Sequence, residues 1–151
     1  MNGPQRRGKP ALSLGEMEAF LHTEFPQAFD GKGGLSVEEV WHGGARVRQA
    51  YREAFIRPGG TISGPTMMAL ADAAMYVAVL AAIGPVPLAV TTQLSINFLR
   101  RPAAADLVAE AELMKLGKRL AVGEVAIRSA GGAALVAHAT STYSIPEPQD
   151  S

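Results

Sequence analysis

SGPTMMALADAAMYVAVLAAIG, residues 63–84, is the stretch on which the fold turns. From Met67 to Ile83 every residue is apolar or small except Asp72 and the amphipathic Tyr76. No polar face separates from an apolar one, so the segment reads as a helix enclosed by other structure rather than one lying on a surface. Ser63 or Gly64 can cap its N-terminus, and Pro65 can serve as the first helical residue, where a missing N–H costs nothing. Gly84, Pro85 and Pro87 stop it. The run is a little short for a membrane span and carries a carboxylate, which speaks against a transmembrane reading.

What encloses the helix follows it in the chain. Leu88 to Leu99 (LAVTTQLSINFL) is rich in β-branched and apolar residues and ends at Arg100-Arg101-Pro102. Leu107 to Leu116, Leu120 to Ser129 and Ala134 to Ile145 follow as strands, separated by the turn-forming Gly117-Lys118-Arg119 and Gly131-Gly132. Upstream, Ala45 to Phe55 suits a half-exposed strand, and Leu35 to His42 fits a strand or a turn. Leu14 to Phe29 spaces Leu14, Met17, Phe20, Leu21 and Phe25 as an amphipathic helix that Pro26 ends. Arg57 to Pro65 is so rich in glycine and proline that it must be a shaped loop. The architecture expected is α+β: an antiparallel sheet wrapped around one long buried central helix.

The chain's 151 residues suffice for one domain with a core of its own, expected over residues 14–146. Residues 1–13, with two arginines and a lysine but no apolar stretch behind them, read as a disordered lead-in to a cytoplasmic product, and 147–151 as a frayed tail. Basic and acidic residues number 14 each, so no global field steers the protein toward nucleic acid or an anionic membrane. Cysteine is absent, which removes thiol catalysis and thiolate metal sites. His22, His42 and His138 are far apart, with no pair at metal-ligand spacing, so no metal is expected. Ser63, Ser95 and Ser141 lack the G-x-S-x-G setting of a nucleophile elbow.

Asp72 is the residue that carries tension. A carboxylate in an otherwise apolar helix must find partners or cost several kcal/mol of desolvation, which makes it a site candidate. A packing role, hydrogen-bonded to a neighbouring strand or subunit, is equally open. The loop before it adds weight to the catalytic role: a helix N-terminus offers unpaired N–H groups, and glycines let a ligand approach the backbone. Donors at the helix start and a carboxylate about two turns further in could address one ligand, polarising a carbonyl and activating water. Met67, Met68 and Met75 read as core, although methionine also suits an acyl pocket.

Arg57 to Tyr76, RPGGTISGPTMMALADAAMY, resembles the loop and helix start of the hotdog-fold thioesterases of the PaaI-like, phenylacetate-pathway group, whose pattern runs Asn, Gly, His-Gly-Gly and then Leu-x-Asp. The strands downstream agree, notably in Phe98-Leu99-Arg100 and Gly117-Lys118-Arg119, so that the resemblance covers roughly Ala45 to Pro146. It implies hydrolysis of acyl-CoA thioesters without a cofactor. It places Asp72 on the catalytic carboxylate, Gly64 on the glycine whose N–H polarises the thioester carbonyl, and Thr92 near a hydroxyl that helps to place the water. It also implies a site built between two subunits of a homodimer, with further pairing into a homotetramer left open. A lone monomer would be inactive. Arg100, Arg101, Lys118 and Arg119 become candidates for the CoA phosphates, with solvated turn charges as the alternative.

The chain departs from the pattern at three positions, where Arg57, Ser63 and Pro65 stand for the asparagine, histidine and second glycine. Ser63 can cap the helix or hydrogen-bond to substrate. Pro65 removes one donor while the Gly64 N–H survives. Arg57 can pair with Asp72 of the other subunit, bind an anionic acyl group or bind a CoA phosphate. Those departures keep a second reading in view, an acyl-CoA-binding protein without turnover. A hydratase is a third, weakened because no histidine lies near the loop to pair with Asp72.

Overall fold

A computed structural model describes residues 7–147. Along the chain run α1 (Leu14–Glu24), α2 (Pro26–Phe29), β1 (Leu35–Trp41), β2 (Gly44–Gln49), a 3-10 turn (Glu53–Phe55), the short strands β3 (Ile56–Arg57) and β4 (Thr61–Ile62), and α3 (Gly64–Ile83). The strands β5 (Val90–Phe98), β6 (Leu107–Leu116), β7 (Leu120–Ser129) and β8 (Leu135–Ser144) complete it. Six strands form one antiparallel sheet in the order β1-β2-β6-β7-β8-β5, while β3 and β4 make a separate hairpin. The antiparallel sheet around a single long helix, expected from the sequence, is what the chain forms.

The inner face of the sheet explains how the helix fits. Cross-strand rows there read Ala109, Ile127, Ala137 and Ala111, Val125, Ala139, all buried. Side chains this small let α3 lie close to the strands, and α3 answers with Leu70, Ala74, Met75, Val77, Ala78 and Leu80, none of them accessible. Helix and sheet meet most tightly at Gly123, where an added Cβ would lie 2.8 Å from the Glu112 carbonyl oxygen and 2.8 Å from Met75 Sδ. Methionine could swing away, but the backbone oxygen cannot. Gly123→Ala is therefore expected to destabilise the fold by about 1–3 kcal/mol, read as a lowered thermal midpoint. The helix is long and apolar enough to cross a membrane by composition, yet it is the core around which the sheet curls.

Some boundaries differ from the sequence reading. The amphipathic helix breaks at Phe25, and Pro26 opens α2 instead of merely ending α1, because proline is tolerated in a first helical turn. The strand expected over 45–55 stops at Gln49; there the Asp106 carboxylate accepts from the Tyr51 N–H at 2.7 Å and from Arg48 Nη1 at 3.0 Å, turning the chain out of the sheet. Of the lead-in expected to be disordered, residues 1–6 lie outside the described residues, as do 148–151 of the tail. Residues 7–13 make defined contacts. Arg7 stacks on Trp41 at 3.6 Å, the Gly8 carbonyl accepts from the His42 N–H, the Ala11 N–H donates to Ala81 O, and Leu12 is buried.

The two sheet edges are finished differently. On β1 a bulge falls between Val37 and Glu39, and its glutamates pair with Arg7, Arg46 and Arg48. Bulges and edge charges are the usual means of keeping another strand away. The edge at β5 instead exposes apolar side chains at both ends, with Leu88 67 %, Val90 54 %, Phe98 49 % and Leu99 50 % accessible.

Candidate active site

Where α3 begins, the local chemistry leaves one backbone donor over. Ser63 is the N-cap, its Oγ accepting from the Thr66 N–H and lying 2.8 Å from Thr66 Oγ1. Gly64, and not Pro65, is thus the first helical residue. Pro65 has no N–H, the Thr66 N–H is capped, and the Met67 N–H reaches the Ser63 carbonyl. Among the described residues the Gly64 N–H alone in this turn has no acceptor, at the positive end of a helix 20 residues long. The Ser63 hydroxyl serves the cap, one of the two roles that the sequence leaves open to it. Ser63→Ala is expected to cost about 1 kcal/mol of stability, measured by chemical denaturation.

Beside this turn lies a groove of about 640 Å³ lined by Arg57, Gly64, Pro65, Phe98, Arg100 and Arg101 together with Thr61 and glycine, proline and apolar neighbours. Among the described residues no acidic one lines it. The glycine-rich loop proves to be the β3–β4 hairpin, whose turn uses Gly59 and Gly60 at φ 97° and 77° and carries Arg57 on the rim. Arg100 Nη1 donates to the Leu135 carbonyl, while Arg57 and Arg101 extend into the open.

Asp72 sits elsewhere. It faces the start of β5, where Thr91 Oγ1 donates to its Oδ1 at 2.5 Å and the Tyr143 hydroxyl lies 3.2 Å from the same oxygen. Thr91 and Tyr143 are direct cross-strand partners on the inner face. Thr92, the hydroxyl expected from the sequence, occupies a bulge in β5 and donates to the Thr142 carbonyl at 3.2 Å, on the exposed side. The hydroxyl beside the acid is Thr91. Of the three methionines of α3, Met67 and Met75 are buried in the core, whereas Met68 is exposed.

The parts therefore divide into two groups. Asp72 follows Gly64 by eight residues on one helix, about 12 Å along the axis. A base and a carbonyl donor that act on the same thioester must lie within roughly 7 Å of each other. Measured along β5, Asp72 stands at Thr91, and the ring of Phe98 packs 3.2 Å from where a Gly64 Cβ would be; these two strand positions are about 23 Å apart. The basic pairs divide likewise. Arg100 and Arg101 follow the far end of β5, while Lys118 and Arg119 turn between β6 and β7 at the Asp72 end, where Leu120 and Val90 both pair with Ser144 and Arg119 is bonded to Glu147.

Comparison with known proteins shows the family. A sequence profile described as thioesterase superfamily matches residues 59–136, from the β3–β4 turn to the start of β8. A crystal structure of a candidate thioesterase from Silicibacter sp. TM1040 is similar, with 42% identity, a TM-score of 0.82 and coverage of 93% of this chain and 96% of that one. So is a point mutant of the phenylacetic acid degradation protein PaaI from Thermus thermophilus, with 30% identity, a TM-score of 0.69 and coverage of 80% and 99%. A candidate esterase of Halobacterium salinarum is 34% identical over 100 residues, which are 62% of this chain and span only 65% of that relative's length. On the strength of the profile match and of the Silicibacter structure, the chain belongs to the thioesterase superfamily, the hotdog family of thioester hydrolases.

Proposed function

We propose that the chain hydrolyses acyl-CoA thioesters as a homodimer in which each site takes Asp72 from one subunit and Gly64 from the other. The observation that carries this reading is the placement of the two groups at opposite ends of β5, the apolar and unpaired edge of the sheet. Two copies joined along β5 about a two-fold axis run antiparallel, so the Thr91 end of each strand meets the Phe98 end of the other. The same operation carries the Gly117-Lys118-Arg119 turn of one subunit toward Arg100 and Arg101 of the partner subunit. The basic groups, scattered in one chain, then gather around one substrate.

In the composite site the thioester carbonyl accepts from the Gly64 N–H at the α3 N-terminus, which stabilises the developing oxyanion. Asp72 takes a proton from water, whose oxygen attacks the carbonyl carbon. The C–S bond then breaks, the departing thiolate takes up the proton held on Asp72, and the products are a carboxylic acid and the free thiol of CoA. Arg57, Arg100 and Arg101, with no acid in the groove between them, suit the phosphates of CoA or another anionic part of the substrate. Thiol release from acyl-CoAs, lost on Asp72→Asn, is the test.

A further inference from the structure

Tyr143 carries no signal in the sequence, yet its phenol is in contact with the candidate base. Asp72 Oδ1 receives two hydroxyls, Thr91 Oγ1 at 2.5 Å and the Tyr143 hydroxyl at 3.2 Å, and that same hydroxyl lies 3.2 Å from the Asp72 backbone carbonyl. Oδ2 accepts no hydrogen bond from any described residue. Since no fully buried side-chain oxygen or nitrogen among the described residues lacks a partner, Oδ2 is not fully buried. The two oxygens of one carboxylate are chemically equal, and this environment makes them unequal.

Tyr143 is itself tightly held. It projects from the inner face of β8, 3 % accessible, with its ring stacked on Tyr76 at 6.2 Å and an interplanar angle of 24°. Tyr76 comes from α3 one turn after Asp72; its hydroxyl donates to the Pro87 carbonyl at 3.2 Å, and Phe25 packs edge-on against it at 6.0 Å. The phenol is thus fixed by sheet and helix together. Burial pushes its ionisation far above the ordinary tyrosine range, and the charge of Asp72 adds to that, so it remains a neutral donor throughout any assay range.

We propose that Tyr143 is a positioning residue: by holding Asp72 Oδ1 from the side of β8, it sets the carboxylate so that Oδ2 alone meets the attacking water. This deepens the hydrolase reading and rests on Asp72 as the base. A carboxylate free to rotate about χ2 would present either oxygen at changing distances, and a displacement of about 1 Å costs about a hundredfold in rate. Thr91 cannot replace the phenol, because it approaches from a different strand.

The test compares acyl-CoA hydrolysis by wild type, Tyr143→Phe, Tyr76→Phe and Asp72→Asn. Tyr143→Phe keeps the ring and its stacking, so the fold is preserved. We expect kcat to fall about tenfold to a hundredfold with KM within about threefold, as for a lost hydrogen bond to a charged group. Tyr143→3-fluorotyrosine, which keeps the donor at nearly the same size, should keep kcat near that of wild type. Tyr76→Phe removes a hydroxyl from the same aromatic pair without touching Asp72, and should leave kcat in place. A Tyr143→Phe enzyme with wild-type kcat overturns the proposal, as does an equal loss in Tyr76→Phe, which would make the effect one of packing. The underlying reading fails separately: wild-type activity in Asp72→Asn removes the base, whereas an inactive Asp72→Asn beside an unaffected Tyr143→Phe removes only the positioning role.

Discussion

Asp72→Asn is expected to lower kcat for thiol release by about a hundredfold to ten-thousandfold, the range for loss of a general base, with KM within a few-fold. The asparagine carbonyl oxygen can still accept from Thr91 and Tyr143 at the place of Oδ1, and the side-chain volume is unchanged, so fold and oligomer should persist. Only the basic oxygen is replaced, by an amide that cannot take a proton. The measurement is free-thiol release from a panel of short-chain, medium-chain and aromatic acyl-CoAs, wild type and variant side by side, and the panel also ranks the acyl groups. Full activity in the folded variant defeats the assignment. If wild type releases no thiol but binds acyl-CoA saturably, the departures at Arg57, Ser63 and Pro65 have ended catalysis, and the chain is a binding protein.

Much of this site is legible in the sequence because its signals are local. An aspartate in an all-apolar helix and a glycine-proline loop ahead of it are visible in one stretch of about twenty residues, and the enclosed helix already implies the sheet around it. The hydroxyl beside Asp72 is not legible. Counting alternate residues back from Phe98, Ile96 and Leu94, which face the helix, points to Thr92, but the bulge before Gln93 shifts the count and turns Thr91 inward. Bulges have no compact sequence signature. In β8 the count holds, and Ala137, Ala139, Ser141 and Tyr143 all face inward. The parity is available there, yet nothing in it says that the last of these meets an acid from a helix 71 residues away. Ser13 and Glu16 show the opposite case. Ser13-x-x-Glu16 is a capping box readable from sequence, and the structure has both of its bonds. At Ser63 capping is one of two roles open to the sequence, and the structure has the cap bond.

Subunit complementation tests the shared site directly and should give the larger qualitative change, from nothing to activity. Gly64→Pro removes the leftover N–H while keeping a residue suited to a first helical turn, and a Cβ added there lies nearest the half-accessible ring of Phe98. Alone, Gly64→Pro should lose about a hundredfold to a thousandfold in kcat, as for removal of an oxyanion donor, and Asp72→Asn should be as poor or worse. Unfolded and refolded together in equal amounts, the two chains should recover about a quarter of wild-type activity: half the dimers are mixed, and each mixed dimer holds one site with both Asp72 and Gly64 intact. Separately refolded variants, combined without exchange, should stay inactive, which excludes contamination. If α3 of a single chain held the whole site, no mixture could restore it, because every chain would still carry one lesion. The distance of about 12 Å between the two groups along that helix is the reason to expect recovery.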